Sequence, residues 1–412
     1  MPLEVSESLA PSPGPGASES PAKLGARVCA VSFKECWQAG DGRWFSTGGF
    51  PLQMRAIGSL FRSMTLVIVA GKQRPGGIPL PEQARVVALD RPVGADLRRK
   101  LSIARRLPRY VGAIAGAIGS ADTVHVPLPG DIPFLGMWVA VFLRRRLIAR
   151  YGGSWTSNSR STFMDRVTRA CMRSLAGGRN VMLATGEGGA PPADGMEWVF
   201  ATALSRSEVD QIPAVSRGLS QPPRLVYVGR LSEEKGVSYL IEAMALLASG
   251  GQAPKARLTL VGDGPERPRL ERLVVERGCA EAVAFAGQQN RTELSRILLE
   301  SDVCVQPSLT EGFSKAWLDA MAHGVPVLAS RVGAAESVIG DDGARGWLIP
   351  PGDSAALAAA LRRVLTDPLD WKRLRQRCQR FAADRTLESW SARIGTICTR
   401  QWKSADSEAG GR

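Results

Sequence analysis

Four charged residues stand in two short strings: Arg230 and Lys235 in YVGRLSEEKG (227–236), and Glu311 and Asp319 in EGFSKAWLD (311–319). A guanidinium and a nearby ammonium can neutralise a diphosphate, and two carboxylates can accept hydrogen bonds from sugar and ribose hydroxyls. Together they suit the grip of a nucleoside diphosphate sugar. Each string alone also has a plain reading. Arg230 and Lys235 flank Glu233 and Glu234 as a solvated set, Glu311 is a loop carboxylate, and Asp319 lies on an exposed helix face.

Placement favours the chemical reading. A strand ends at Gly229 and Arg230 follows as it gives way to loop. Pro307 closes a second strand, Glu311 and Gly312 form a tight turn, and a helix is expected to begin near Phe313. The unpaired amides of Phe313, Ser314 and Lys315 then form an anion site that suits a distal phosphate. Asp319 comes about two turns later, at ~3.6 residues per turn, within reach of a ribose.

The elements that position these residues follow from the apolar pattern. From Arg224 onward, short apolar runs (224–229, 256–262, 282–287, 302–307 and 325–330) alternate with stretches whose apolar residues recur every three or four positions. Strand, helix, strand in this order predicts a parallel sheet covered on both faces. The first half repeats the theme at 26–33, 64–71, 84–90, 122–128, 146–153, 180–186 and 197–205. The expected fold class is therefore α/β, with two Rossmann-like doubly wound domains facing across a cleft. The domains are placed at 25–220 and 221–386, joined near SRGLSQPP (216–223), after a disordered tail over 1–24. A helix in 387–412 is expected to pack back on the first domain.

Composition excludes several classes. Seven scattered cysteines without a CxxC pair, and only two histidines, argue against a zinc site or a disulfide framework, so no metal is expected. The longest apolar run, 133–143, falls well short of the ~20 residues that span a bilayer. A cytoplasmic protein, peripheral to the inner face of a membrane at most, is the expectation. GDGP at 262–265 lacks the third glycine of a dinucleotide fingerprint, which disfavours an NAD-dependent oxidoreductase.

The ordered strings GRLSEEKG, LVGDGPERPRL, FAGQ, DVCVQPSLTEGFSKAWLDAMAHGVPVLAS, VGAAESV and ARGWLIPPGD span Arg224 to Leu365 and resemble the C-terminal domain of family 4 retaining glycosyltransferases of the GT-B fold. The resemblance implies that Arg230 and Lys235 hold the donor diphosphate, that Glu311 contacts the donor sugar, and that amides at Phe313 and Ser314 cap the distal phosphate. The turn at Gly287 and Gln288 would lie against the nucleobase. Asp319 replaces the second glutamate of the family's E-x7-E pattern and keeps the carboxylate with less reach. It further implies a metal-independent transfer that retains anomeric configuration, with no cofactor beyond the donor. The acceptor would be a saccharide or a lipid-linked saccharide, as in polysaccharide or glycoconjugate biosynthesis. The competing reading is a nucleotide-sugar-binding protein without turnover.

In the first half, Gly48 and Gly49 are expected in a loop between the first strand and first helix, where backbone can approach a phosphate closely, and family members use a double glycine here. His125 ends the strand DTVHVPL and is placed facing the cleft, against the ordinary reading of a structural histidine. Tyr151 stands where many family members have a histidine near the sugar, while His323 is taken as structural. Residues 51–150 carry 16 basic against 5 acidic side chains, concentrated at 95–119 (Arg98, Arg99, Lys100, Arg105, Arg106 and Arg109) and at 144–146 beside apolar stretches. A basic, partly apolar face suits an anionic membrane surface, with solvated helix faces as the alternative. No nucleic-acid module accompanies the charge.

Overall fold

The computed structural model describes residues 23–74, 77–91, 96–155, 161–249, 255–340 and 343–410, with side chains at 96–104 and 408–410 excepted. The tail expected over 1–24 lies almost wholly outside them. The first sheet contains β1 (Gly25–Gln38), β2 (Trp44–Ser46), β3 (Phe61–Ala70), β4 (Ile78–Pro79), β5 (Ala84–Leu89), β6 (Thr123–Leu128), β7 (Arg146–Tyr151), β8 (Asn180–Thr185) and β9 (Met196–Val199). Its parallel body runs β5-β3-β1-β6-β7-β8-β9. β2 and β4 add a small antiparallel ribbon at the end of β1, beyond the strands that the apolar pattern predicts. The interior strand β7 is buried from Leu147 to Tyr151 without alternation, as a strand covered on both faces must be.

Helices α1 (Phe50–Gly58), α2 (Asp96–Gly119), α3 (Asp131–Phe142) and α4 (Phe163–Leu175) cover this sheet, and the short α5 (Arg206–Gln211) leads to the second domain. There β10 (Arg224–Val228), β11 (Arg257–Val261), β12 (Val283–Gly287), β13 (Val303–Gln306), β14 (Val327–Ser330) and β15 (Gly346–Ile349) form a wholly parallel sheet in the order β12-β11-β10-β13-β14-β15. The sixth strand, GWLI, adds to the five that the apolar runs predict. Around it lie α6 (Val237–Ser249), α7 (Arg267–Glu276), α8 (Arg291–Glu300), α9 (Lys315–Ala322), α10 (Ala335–Ile339), α11 (Ser354–Thr366) and α12 (Trp371–Ala383). In this order the sheet reverses direction of growth between β10 and β13, which opens a crevice at their carboxyl ends. Arg230 follows β10 and Glu311 follows β13, so the two charged strings emerge side by side.

The final helix α13 (Leu387–Gly410) returns to the first sheet. Trp390, Ile394, Cys398 and Trp402, spaced four apart, are all buried, and the Trp402 indole donates to the Arg179 carbonyl at 3.1 Å. At the start of the second domain the wholly buried Asp302 accepts from the Arg224 amide at 2.8 Å and from Arg375 of α12 at 3.0 Å, and it also pairs with Arg217. All seven cysteines are free thiols. Among the described residues no helix is long and apolar enough to cross a membrane, and no three His, Cys, Asp or Glu side chains converge as metal ligands would.

Candidate active site

A cleft of about 640 Å³ lies between the two sheets. From the second domain it is lined by Gly229, Arg230, Lys235, Gln288, Glu311 and Asp319, together with Phe313, Ser314 and Lys315 at the start of α9. Gly48 and Gly49 form part of the opposite wall. The structure thus gathers residues from four separate turns at one place.

The turn after β10 is held rigidly. The buried Tyr227 hydroxyl donates to the Arg230 carbonyl at 2.8 Å, and burial pushes that phenol's pKa up. A short helical turn, Glu233–Lys235, ends at Gly236 with φ +64°, and a Cβ there would sit 2.1 Å from the Pro307 carbonyl oxygen. Only glycine allows that approach, which brings the Arg230–Lys235 loop against the end of β13. The Lys235 ammonium pairs with the Glu311 carboxylate, both largely shielded from solvent. Arg230 is exposed at the mouth of the cleft.

Asp319 is not on a solvated face. It is 7% exposed, and Arg291 at the start of α8 donates to it at 2.9 Å while also donating to Glu208 of α5 at 3.0 Å. Burial opposes the charge on Arg291, but Asp319 and Glu208 outweigh it and hold the guanidinium above its ordinary pKa. Arg291 was absent from the sequence reading. Its signal was its position three residues after Gln288, opening a helix capped by the Asn290 side chain.

The helix expected near Phe313 begins at Lys315, with Ser314 as N-cap. Gly312 does not line the cleft. A Cβ on it would lie 2.6 Å from the Gly153 carbonyl oxygen, so its lack of a side chain lets the two domains meet. The Lys315 side chain, and not only its amide, reaches the site: its Nζ lies 3.3 Å from where a Cβ of Gly49 would stand. Burial in the cleft, then Arg150 and Lys34 nearby, bring its pKa down to about 8.

Two first-domain candidates are corrected. His125 is fully buried within β6, its Nδ1 3.2 Å from the Ile148 carbonyl oxygen, and burial followed by the neighbouring Arg150 lowers its pKa to about 3. It is a neutral core residue away from the cleft. Tyr151 is 2% exposed and its hydroxyl donates to Asp165 of α4 at 3.1 Å, with Trp155 packed edge-on. Successive residues of a strand face opposite sides, so at the end of β7 it is Arg150, not Tyr151, that turns toward α1 and α13. His323 is structural, with its Nδ1 at 2.7 Å from the Asp319 carbonyl oxygen.

The basic segments are only partly accessible. Arg98, Arg99 and Lys100 have side chains outside the described ones. Arg146 pairs with Asp406 at 2.7 Å and Arg145 donates to the Gly119 carbonyl at 2.8 Å, which removes both from a free surface. Arg105, Arg109 and Arg144 are exposed, as are Leu107, Trp138 and Phe142, the last 86% accessible.

Two Rossmann-like domains closing on a cleft in this way define the GT-B fold of glycosyltransferases. Residues 209–385 match the family model for glycosyl transferases group 1. The chain is 34% identical over 166 residues to the alpha-D-kanosaminyltransferase of Streptomyces kanamyceticus, covering 40% of this chain and 41% of that one. It is 28% identical over 323 residues to the sulfoquinovosyl transferase SQD2 of Arabidopsis thaliana, covering 72% of this chain and 59% of the relative. The chain therefore spans about half the length of these curated relatives. The crystal structure of HepE from Anabaena in complex with UDP superposes with a TM-score of 0.65 at 18% identity, covering 91% of this chain and 100% of that one.

Proposed function

We propose that this chain is a retaining, metal-independent glycosyltransferase of the family 4 type, moving a sugar from a nucleoside diphosphate to a saccharide or lipid-linked saccharide. The observation that carries it is the convergence of Arg230, Lys235, Glu311 and Asp319 on one interdomain cleft. As the bond from the anomeric carbon to the diphosphate breaks, negative charge grows on the leaving oxygen. Arg230 and Lys235 lie where that charge would be met, each charge-assisted contact contributing roughly 1.5–3 kcal/mol. Glu311, oriented by Lys235, keeps a second oxygen for a sugar hydroxyl, and Asp319, oriented by Arg291, keeps one for the ribose. Gln288 and Gly229 border the nucleobase and diphosphate, and Gly48 and Gly49 face them from the first domain, where an acceptor would bind. The relatives' names, a kanosaminyltransferase and a sulfoquinovosyl transferase, are consistent with glycoconjugate synthesis.

Exposed Trp138 and Phe142, one turn apart on α3, together with Arg105, Arg109 and Arg144, suit peripheral attachment to an anionic bilayer presenting a lipid-linked acceptor. Phe142→Glu should abolish flotation with anionic liposomes at low salt; flotation unchanged in the variant refutes that attachment. The transfer reading is tested by melting the protein against UDP, GDP and ADP, with Arg230→Ala alongside, followed by turnover of the matching nucleotide sugars. A ligand at 100 times its Kd adds about 2.7 kcal/mol of stability. A shift lost in the variant supports the site. Absence of shift with every nucleoside diphosphate refutes it.

A further inference from the structure

Beyond the diphosphate cations, a second group of positive charge stands against the first-domain wall of the cleft. Arg150 is 8% exposed, and its terminal nitrogens reach only neutral oxygens, Thr185 Oγ1 and Gln53 Oε1, both at 3.3 Å. Its Nε is buried without a hydrogen-bond partner. Gln53 is one turn into α1, its backbone N–H donating to the Gly49 carbonyl at 3.0 Å, so Arg150 lies beneath the double-glycine wall that Lys315 approaches from the other domain. Lys34 stands in the carboxyl-terminal half of β1, past the irregularity where that strand slips register against β3, and only β6 separates β1 from the end of β7 that carries Arg150; its charge, like that of Arg150, disfavours the charge on Lys315.

None of Lys34, Arg150 and Lys315 forms an ion pair among the described residues. The carboxylates nearby are already engaged: Glu35 with Arg74 at 2.7 Å and Arg91 at 3.0 Å, Glu311 with Lys235, and Asp319 with Arg291. A buried guanidinium without a counter-charge is costly unless an anion arrives to pair with it. The donor diphosphate is a poor candidate for that role, because Arg230, Lys235 and the amides before α9 already face it.

From this geometry, and resting on the donor reading above, we propose that Lys34, Arg150 and Lys315 form a second oxyanion subsite, which receives a phosphate or carboxylate carried by the acceptor. The acceptor is then an acidic glycan or a glycosyl phosphate, held with its charged group against the first domain while its hydroxyl faces the donor sugar.

The test is a calorimetric titration of the full chain, saturated with UDP, with inorganic phosphate and separately with glucuronate. At least one of them should bind, and Lys34→Gln should weaken that binding tenfold or more while changing the affinity for UDP less than twofold. Preference for phosphate over glucuronate, or the reverse, distinguishes the two sources of the anion. Binding of neither probe, or equal binding by wild type and Lys34→Gln, overturns the inference. So does a tenfold loss of UDP affinity in Lys34→Gln, which would assign the cluster to the donor diphosphate. Arg150→Gln should behave as Lys34→Gln does; because Arg150 is buried, Lys34→Gln remains decisive if that variant fails to fold. If wild type binds no UDP, the donor reading fails separately, and the same comparison run without nucleotide decides the subsite.

Discussion

Replacing Lys315 by Met should make the ligand-free protein more stable, the reverse of the usual outcome at an enclosed position. The Lys315 pKa falls from 10.5 to about 8 because burial in the cleft, and then Arg150 and Lys34, disfavour its charge. The folded value lies below the unfolded one, so the cost of the charge is fully present below pH 8. It is relieved as pH rises from about 8 toward 10.5, where the folded state has released a proton that the unfolded state still holds. At ~1.4 kcal/mol per tenfold, the cost is about 3 kcal/mol at pH 7 and about 1.4 kcal/mol at pH 9.5. These are ceilings, because the ammonium keeps partial contact with solvent. A methionine of similar length removes the charge and keeps the stem's packing. Thermal melting of both proteins at the two pH values checks the argument. Lys315→Met should melt several degrees higher at pH 7, given ~2–4 °C per kcal/mol for domains of this size, and the gap should narrow at pH 9.5. A variant that melts at or below wild type at pH 7, or a gap that does not shrink, refutes the reasoning.

Three further outcomes follow from the same physics. Arg291→Met strands the nearly buried Asp319 carboxylate and should cost about 1.5–3 kcal/mol by denaturant melt, with Glu208→Gln costing less because Glu208 is the more exposed partner. Gly312→Ala places a Cβ 2.6 Å from the Gly153 carbonyl oxygen, forcing the domains apart; about 1–3 kcal/mol of stability should be lost, and turnover should fall more than nucleotide affinity. Asp302→Asn leaves Arg375, wholly buried, and Arg217 without their shared carboxylate; a loss of about 3–5 kcal/mol is expected by urea melt, and a loss under 1 kcal/mol would show that the carbonyls around Arg375 suffice.

The linear chain determined the second domain almost completely. Its strands are short apolar runs and its helices have clear three- and four-residue periodicity, because a parallel sheet covered on both faces leaves local sequence little freedom. That Arg230, Lys235, Glu311 and Asp319 converge on one crevice was legible for the same reason, since the first three follow strand ends, Asp319 lies on the helix after one, and the fold brings strand ends together there. The sequence did not show what lies opposite. Arg291 meets Asp319 only because α8 and α9 pack side by side, although the two residues are 28 positions apart. The positions of Tyr151 and Arg150 depended on one residue of register at the end of β7, since neighbouring side chains on a strand point to opposite faces. His125, read as facing the cleft, is sealed in the core by the strands on either side of β6. Charge on a residue can be read from its type. Whether that charge is paired, buried or left waiting for a ligand depends on which distant backbone comes to lie against it, and only the tertiary structure decides that.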